Sequence, residues 1–144
     1  MQIEGFWQRD SAQSAILRPV ITAKLLVQGQ ELPFTLLVDT GADSTVIGSA
    51  FASLLANVQQ ERAESLIGAG GQVDCFFASV RLELRDVSNR PVRFSITCAV
   101  LTDPAQGNEH LLGRNLLDYF ALICDRESGR VALLRPPHRY AIHG

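Results

Sequence analysis

The sequence predicts a mostly β domain. Three features carry that expectation: short runs alternating apolar and polar residues, turn signals between successive runs, and only two stretches with room for a helix. "VITAKLLVQ" (20–28) alternates, Gly29 and Gln30 mark a turn, and "LPFTLLV" (32–38) follows. Pro33 cannot donate to a strand ladder, so it belongs at the start or edge of that strand. "DCFFASVRLEL" (74–84), the turn-rich "RDVSNRP" and "VRFSITCAVL" (92–101) read as a hairpin. "DPAQGNE" (103–109) is a loop. Near the end, "FALICD" and "RVALLR" flank "RESG", a second hairpin in which Gly129 supplies a positive φ. The helical stretches are "GSAFASLLANV" (48–58) and "RNLLDYF" (114–120).

The 144 residues are one domain's length, organised as an N-terminal lead (1–19), a single domain (20–135) and a Pro-rich tail (136–144). The 47% hydrophobic and 19% charged residues are those of an ordinary globular protein. A net charge of -2 gives no electrostatic reason to expect nucleic acid or an anionic membrane as partner. The first twenty residues are interrupted by Glu4, Arg9, Asp10 and Arg18, and no apolar run has the length of a signal peptide or membrane span. The expectation is a cytoplasmic protein. Cys75, Cys98 and Cys124 are widely spaced, with no CxxC pair and no Cys/His cluster, so they read as small buried hydrophobes and no metal is expected. His110, His138 and His143 read as solvent-facing.

Chemistry concentrates in three places. The first is "LLVDTGADSTVI" (36–47), where an apolar strand delivers Asp39 to a small turn and the chain becomes apolar again. Burying a lone carboxylate is costly unless it is hydrogen-bonded or protonated, so apolar runs on both sides argue against a plain surface turn. The second is "LIGAGGQV" (66–73), three glycines within four residues. A phosphate loop needs a helix to follow, whereas "VDCFFASVRLEL" alternates as a strand, so a mobile hairpin tip fits better. The third is "HLLGRNLLDYF" (110–120), where Arg114 follows a glycine in apolar surroundings. A buried guanidinium needs a carboxylate partner, and Asp43 is the best placed. Asp74, Asp86, Asp103, Asp118 and Asp125 all have ordinary turn or helix explanations.

Taken in this order, the three motifs resemble the retropepsin family of aspartic proteases, the retroviral-type, single-domain branch. The resemblance spans roughly residues 20 to 120, strongest at "LLVDTGADSTVI" and "LLGRNLL". It implies a retropepsin-like acid-protease fold with a short helix after the LLGRN motif, active as a homodimer. Each chain would give one Asp39 to a shared catalytic site, with Thr40 and Gly41 bracing the loop. Ala42 and Asp43 would line the cleft, Val46 and Leu112 would wall pockets, and Ile67, Gly68, Ala69, Gly70 and Gly71 would form a flap over the substrate. Arg114 would support the loop through Asp43. The implied activity is hydrolysis of protein or peptide substrate by water activated between two carboxylates, without a cofactor. The alternative is a non-catalytic homodimeric peptide-binding module on the same fold. The chain departs from the compact retroviral pattern in its longer lead, its extra hairpin after "LLGRNLL" and its tail. The family's dimer interface, built by the termini, is therefore not carried over.

Overall fold

The structure, a computed structural model, describes residues 1–58, 60–68, 71–139 and 141–143, the stretch 60–68 by its backbone alone. Eleven strands and two short α-helices follow in chain order: β1 (Gln2–Glu4), β2 (Phe6–Arg9), β3 (Leu17–Val27), β4 (Gln30–Val38), β5 (Val46–Ile47), α1 (Ala52–Leu55), β6 (Gln60–Gly68), β7 (Gly71–Arg85), β8 (Pro91–Leu101), β9 (Leu111–Leu112), α2 (Arg114–Leu117), β10 (Ala121–Asp125) and β11 (Arg130–Leu134). They form an eight-stranded sheet, β2-β3-β4-β9-β5-β8-β7-β6, and a three-stranded sheet, β1-β11-β10. A further pairing of β3 with β7 curls the large sheet back on itself.

Alternation builds the core. In β3, Ile21, Ala23, Leu25 and Val27 point inward and are buried, while Thr22, Lys24 and Leu26 take the other face. Leu36, Ile47, Leu82, Leu84, Val100, Leu112 and Leu116 join the same cluster. Each such Leu or Ile contributes about 1.5–3 kcal/mol of burial. The long β7–β8 hairpin is expected from the sequence and is observed, running from Cys75↔Leu101 to Arg85↔Pro91. The β10–β11 hairpin is observed too, with Gly129 at φ 72° in its turn. Pro33 lies within β4 opposite Lys24. Its far side has no strand, because β9 reaches β4 only at Leu37 and Val38, which makes that stretch an edge.

Several expectations need amendment. The lead contributes two strands: β1 pairs with β11 from Gln2↔Leu134 to Glu4↔Ala132, and β2 pairs with β3. Cys75 and Cys98 are buried, but Cys124 is exposed on the edge strand β10. His110 is not solvent-facing. Its ring stacks on Phe51 at 5.2 Å and meets Phe34 edge-on at 5.0 Å, and Nδ1 accepts a hydrogen bond from the Gly48 amide at 2.9 Å. Burial pushes its pKa below the ordinary histidine value. Glu83 occupies a position where alternation would face solvent, yet it is 2% exposed, because Arg85 and Arg93 close over its carboxylate at 3.2 and 2.9 Å.

Candidate active site

Asp39 sits one residue beyond β4. The parallel pairing of β4 with β9 continues into the loop, so the Leu37 amide donates to the His110 carbonyl (2.8 Å) and the Asp39 amide to that of Leu112 (3.1 Å). Those bonds set where the strand stops and the turn begins. The turn closes on itself: the Gly41 amide donates to Asp39 Oδ1 at 2.9 Å, and the Ala42 amide to the Asp39 carbonyl at 3.3 Å. Asp39 is half-buried, Thr40 and Gly41 exposed. The Thr40 hydroxyl makes no hydrogen bond among the described residues, so main-chain bonds brace the turn in the single chain.

The following residues are held from α2. The Arg114 amide donates to the Ala42 carbonyl at 2.8 Å, and the Asn115 amide to the Asp43 carbonyl at 3.1 Å. Gly113 makes this approach possible. A Cβ there would lie 2.3 Å from the Ser44 carbonyl carbon, a distance no side chain tolerates. The Arg114–Asp43 ion pair expected from the sequence is present, but it is long (3.6 Å) and exposed, with side chains 53% and 92% accessible. Arg114 also reaches Asp118 at 3.7 Å. The buried brace is instead Thr45 with Asn115. Asn115 Oδ1 accepts from both the amide and the hydroxyl of Thr45 (each 2.8 Å), and its Nδ2 donates to the Thr97 carbonyl at 2.7 Å. Thr45 Oγ1 in turn accepts from the Gly113 amide at 3.1 Å. Arg114 supports the loop through its backbone, while the neighbouring asparagine supplies the side-chain bonds.

The other candidate residues fall in two groups. Val46 (6% exposed) and Leu112 (0%) are packed inside the protein. Leu112 lies in the main core cluster with Ile47, whereas Val46 packs with Cys75, Ala99 and Leu101 in a smaller cluster on the other face of β5. In the hairpin β6–β7, Ile67 pairs with Gln72 and Gly68 with Gly71. Ala69 and Gly70 lie outside the described residues. Gly71 is exposed at the head of β7.

A half-open cavity of about 180 Å³ is lined in part by Arg18, Thr35, Leu37, Glu109 and His110. Alternation along β4 puts Thr35 and Leu37 on one face, the face this cavity opens on. Arg18 bridges Asp10 and Glu109 at its rim. Asn115, Thr45, Arg18 and Glu109 had no distinguishing signal in the sequence, because their partners lie 70 and 91 residues away. A larger cavity of about 450 Å³ flanks the β3–β4 turn at the opposite end of β4. Among the described residues no group of three or more His, Cys, Asp or Glu is arranged to hold a metal ion, and no helix is long and apolar enough to cross a membrane.

A carboxylate at a strand end, held by an Asp-Thr-Gly turn and buttressed by a Gly-Arg-Asn helix start in a mostly β domain, defines a retropepsin-like aspartic protease fold. The sequence model of the gag-polyprotein putative aspartyl protease family matches residues 23–119, and the chain belongs to that family. Among solved structures it is similar to a retropepsin-like aspartic protease from Rickettsia conorii, at TM-score 0.58 and 19% identity over 92% of this chain and 98% of that one. It is also similar to EIAV protease in complex with an inhibitor, at TM-score 0.50 and 22% identity over 75% of this chain and 91% of that one. No curated protein matches.

Proposed function

We propose that the protein is an aspartic endopeptidase that works as a homodimer, with the two Asp39 carboxylates sharing one active site. The observation that carries the reading is the locked turn itself: Asp39 is fixed by its own amide and its own carboxylate oxygen, yet stays only half-buried just beyond the end of β4. One chain supplies one such carboxylate, and the chemistry needs two. Carboxylates brought within a few ångströms of one another share a proton and titrate as a pair. The ionised partner removes a proton from a water between them, the protonated partner hydrogen-bonds the scissile carbonyl, and water attacks without a covalent enzyme intermediate. A peptide lying extended beneath the β6–β7 hairpin is held mainly by main-chain hydrogen bonds, with side-chain pockets giving preference. The cavity beside Leu37 takes a substrate side chain next to the cleaved bond.

The test is cleavage of a diverse peptide mixture from about pH 4 to 7, a range that brackets carboxylate titration, read by mass spectrometry. Wild type and Asp39→Asn are compared at high protein concentration, with and without a statine-type inhibitor. Asn keeps an acceptor for the Gly41 amide, so the variant folds but loses cleavage. Cleavage that survives the substitution, or that the inhibitor leaves untouched, refutes the reading.

A further inference from the structure

The side of β7 that faces away from β8 is covered by two different strands. β6 pairs with it from Gly71 to Ala78, and β3 from Arg81 to Glu83. Between them, at Ser79 and Val80, neither strand reaches. Continuing the β3 register would set Val27 against Val80 and Gln28 against Ser79. The chain turns there instead, Gln28 and Gly29 taking φ 50° and 76°, and carries β3 away into β4. Those would-be partners all line the cavity of about 450 Å³, a volume in the range of small-ligand sites.

The chemistry facing this gap is specific. The Asp86 amide donates to the Arg90 carbonyl at 3.0 Å, and Pro91, which has no N–H, lies opposite Arg85. Alternation from there gives the even-numbered residues of β7 to β8 and turns the N–H and C=O of Ser79 into the gap. The apolar lining comes from Val27, Leu55 and Val80, which are buried, and from Leu26 and Val58, which are half-buried. Three lining residues are charged. Glu31 is held by Lys24 and Arg93 by Glu83, each at 2.9 Å. Arg81 is exposed and makes no ion pair or hydrogen bond among the described residues.

We propose that this cavity binds the C-terminal residue of a peptide when that residue is apolar. Its amide N–H donates to the Ser79 carbonyl, its carboxylate accepts from the Ser79 amide and from Arg81, and its side chain rests on Leu55 and Val58. A gap of two residues with a strand on either side admits a chain end and not a passing strand. The uncommitted guanidinium of Arg81 selects a carboxylate over an ammonium group. An occupant also ties the β3–β4 turn to the β6–β7 hairpin, because Val58 lies just before β6 and Ser79 on β7. An endopeptidase releases peptides with such ends. That this chain is itself their source rests on the proposed function; recognition of the end does not.

The probe is N-acetyl-L-leucine, titrated into the isotope-labelled full chain and followed through its backbone amide resonances. Shifts are expected at Gln28, Ser79 and Val80, and none of comparable size at Asp39. N-acetyl-L-leucinamide, which lacks the carboxylate, should bind at least about tenfold more weakly, the loss of one charge-assisted hydrogen bond. Arg81→Gln should weaken binding of N-acetyl-L-leucine by as much, with the melting temperature of wild type, since the side chain it replaces is exposed and without partners. Acetate, with neither amide nor apolar body, should leave Ser79 in place. No shift near Ser79 at about 10 mM probe, or shifts confined to the surroundings of Asp39, overturns the site. So does a leucinamide that binds as well as the acid, or an Arg81→Gln variant that binds as well as wild type. Binding as expected by a chain that cleaves no peptide keeps the site and removes only the reading of the ligand as its own product.

Discussion

Replacing Asn115 by Ala tests whether the loop after Asp39 is held by the Thr45–Asn115 brace or by the Arg114–Asp43 ion pair. Thr45 is 0% exposed, and Asn115→Ala strands its amide, which costs about 1–3 kcal/mol for a buried unsatisfied group. The bonds from the Thr45 hydroxyl to Asn115 and from Asn115 to the Thr97 carbonyl add about 0.5–1.5 kcal/mol each. The sum is about 2–6 kcal/mol. At roughly 3 °C per kcal/mol for a domain of about 150 residues, the melting temperature should fall by about 6–18 °C. Asn115→Asp keeps the acceptor and should fall between. Arg114→Ala removes a pair whose side chains are 53% and 92% exposed, so its effect should stay within about 1 kcal/mol. The Arg114 amide still donates to Ala42 whatever side chain it carries. Thermal denaturation followed by circular dichroism reads all three variants. An Arg114→Ala loss equal to that of Asn115→Ala would refute the assignment of the brace.

Gly113→Ala forces a Cβ to 2.3 Å from the Ser44 backbone. Overpacking against atoms that cannot retreat should cost about 3 kcal/mol or more, seen as lost soluble yield or a melting temperature lowered by about 9 °C or more. His110 gives the fold an acid-side limit. Burial lowers its pKa from 6.5, and its Nδ1 must be unprotonated to accept from Gly48, so the folded state favours the neutral ring. Its stabilisation is complete above that ordinary value and is lost as pH falls from there toward the lowered folded pKa. Melting temperature should therefore decline with acidification through this window. His110→Phe keeps the ring packing but loses the Gly48 bond. It should be less stable at neutral pH and show a flatter acid limb; an unchanged slope would remove His110 as the source.

The large hairpins were legible because alternation over ten or more residues, bounded by turn residues, admits one pairing. The Asp39 turn was legible because Asp39, Thr40 and Gly41 interrupt a strong apolar run. What was not legible depends on distant pairing. β1 and β9 are too short to show a period and are strands only because Leu133 and Val38 lie beside them. Arg114 looked buried from its apolar flanks, but the four-residue helix buries Leu116 and Leu117 and leaves Arg114 exposed. Glu83 is the converse. It breaks the alternation because two partly exposed arginines, one on β8, close over its carboxylate.

The bonds that shape the Asp39 turn separate folding of the site from its completion. Leu112 receives the Asp39 amide, the Gly41 amide binds the Asp39 carboxylate, and Ala42 and Asp43 are held from α2, all within one chain. In the proposed homodimer a second copy adds a carboxylate rather than shaping the loop. On the shared-site reading, dilution should therefore lower activity per protomer in proportion to dissociation, while far-ultraviolet dichroism and hydrogen-exchange protection around residues 39–45 stay as they were. Were the turn shaped by the partner instead, protection there would vanish with the dimer. Specific activity independent of concentration, with monomeric sedimentation, would remove the shared site altogether.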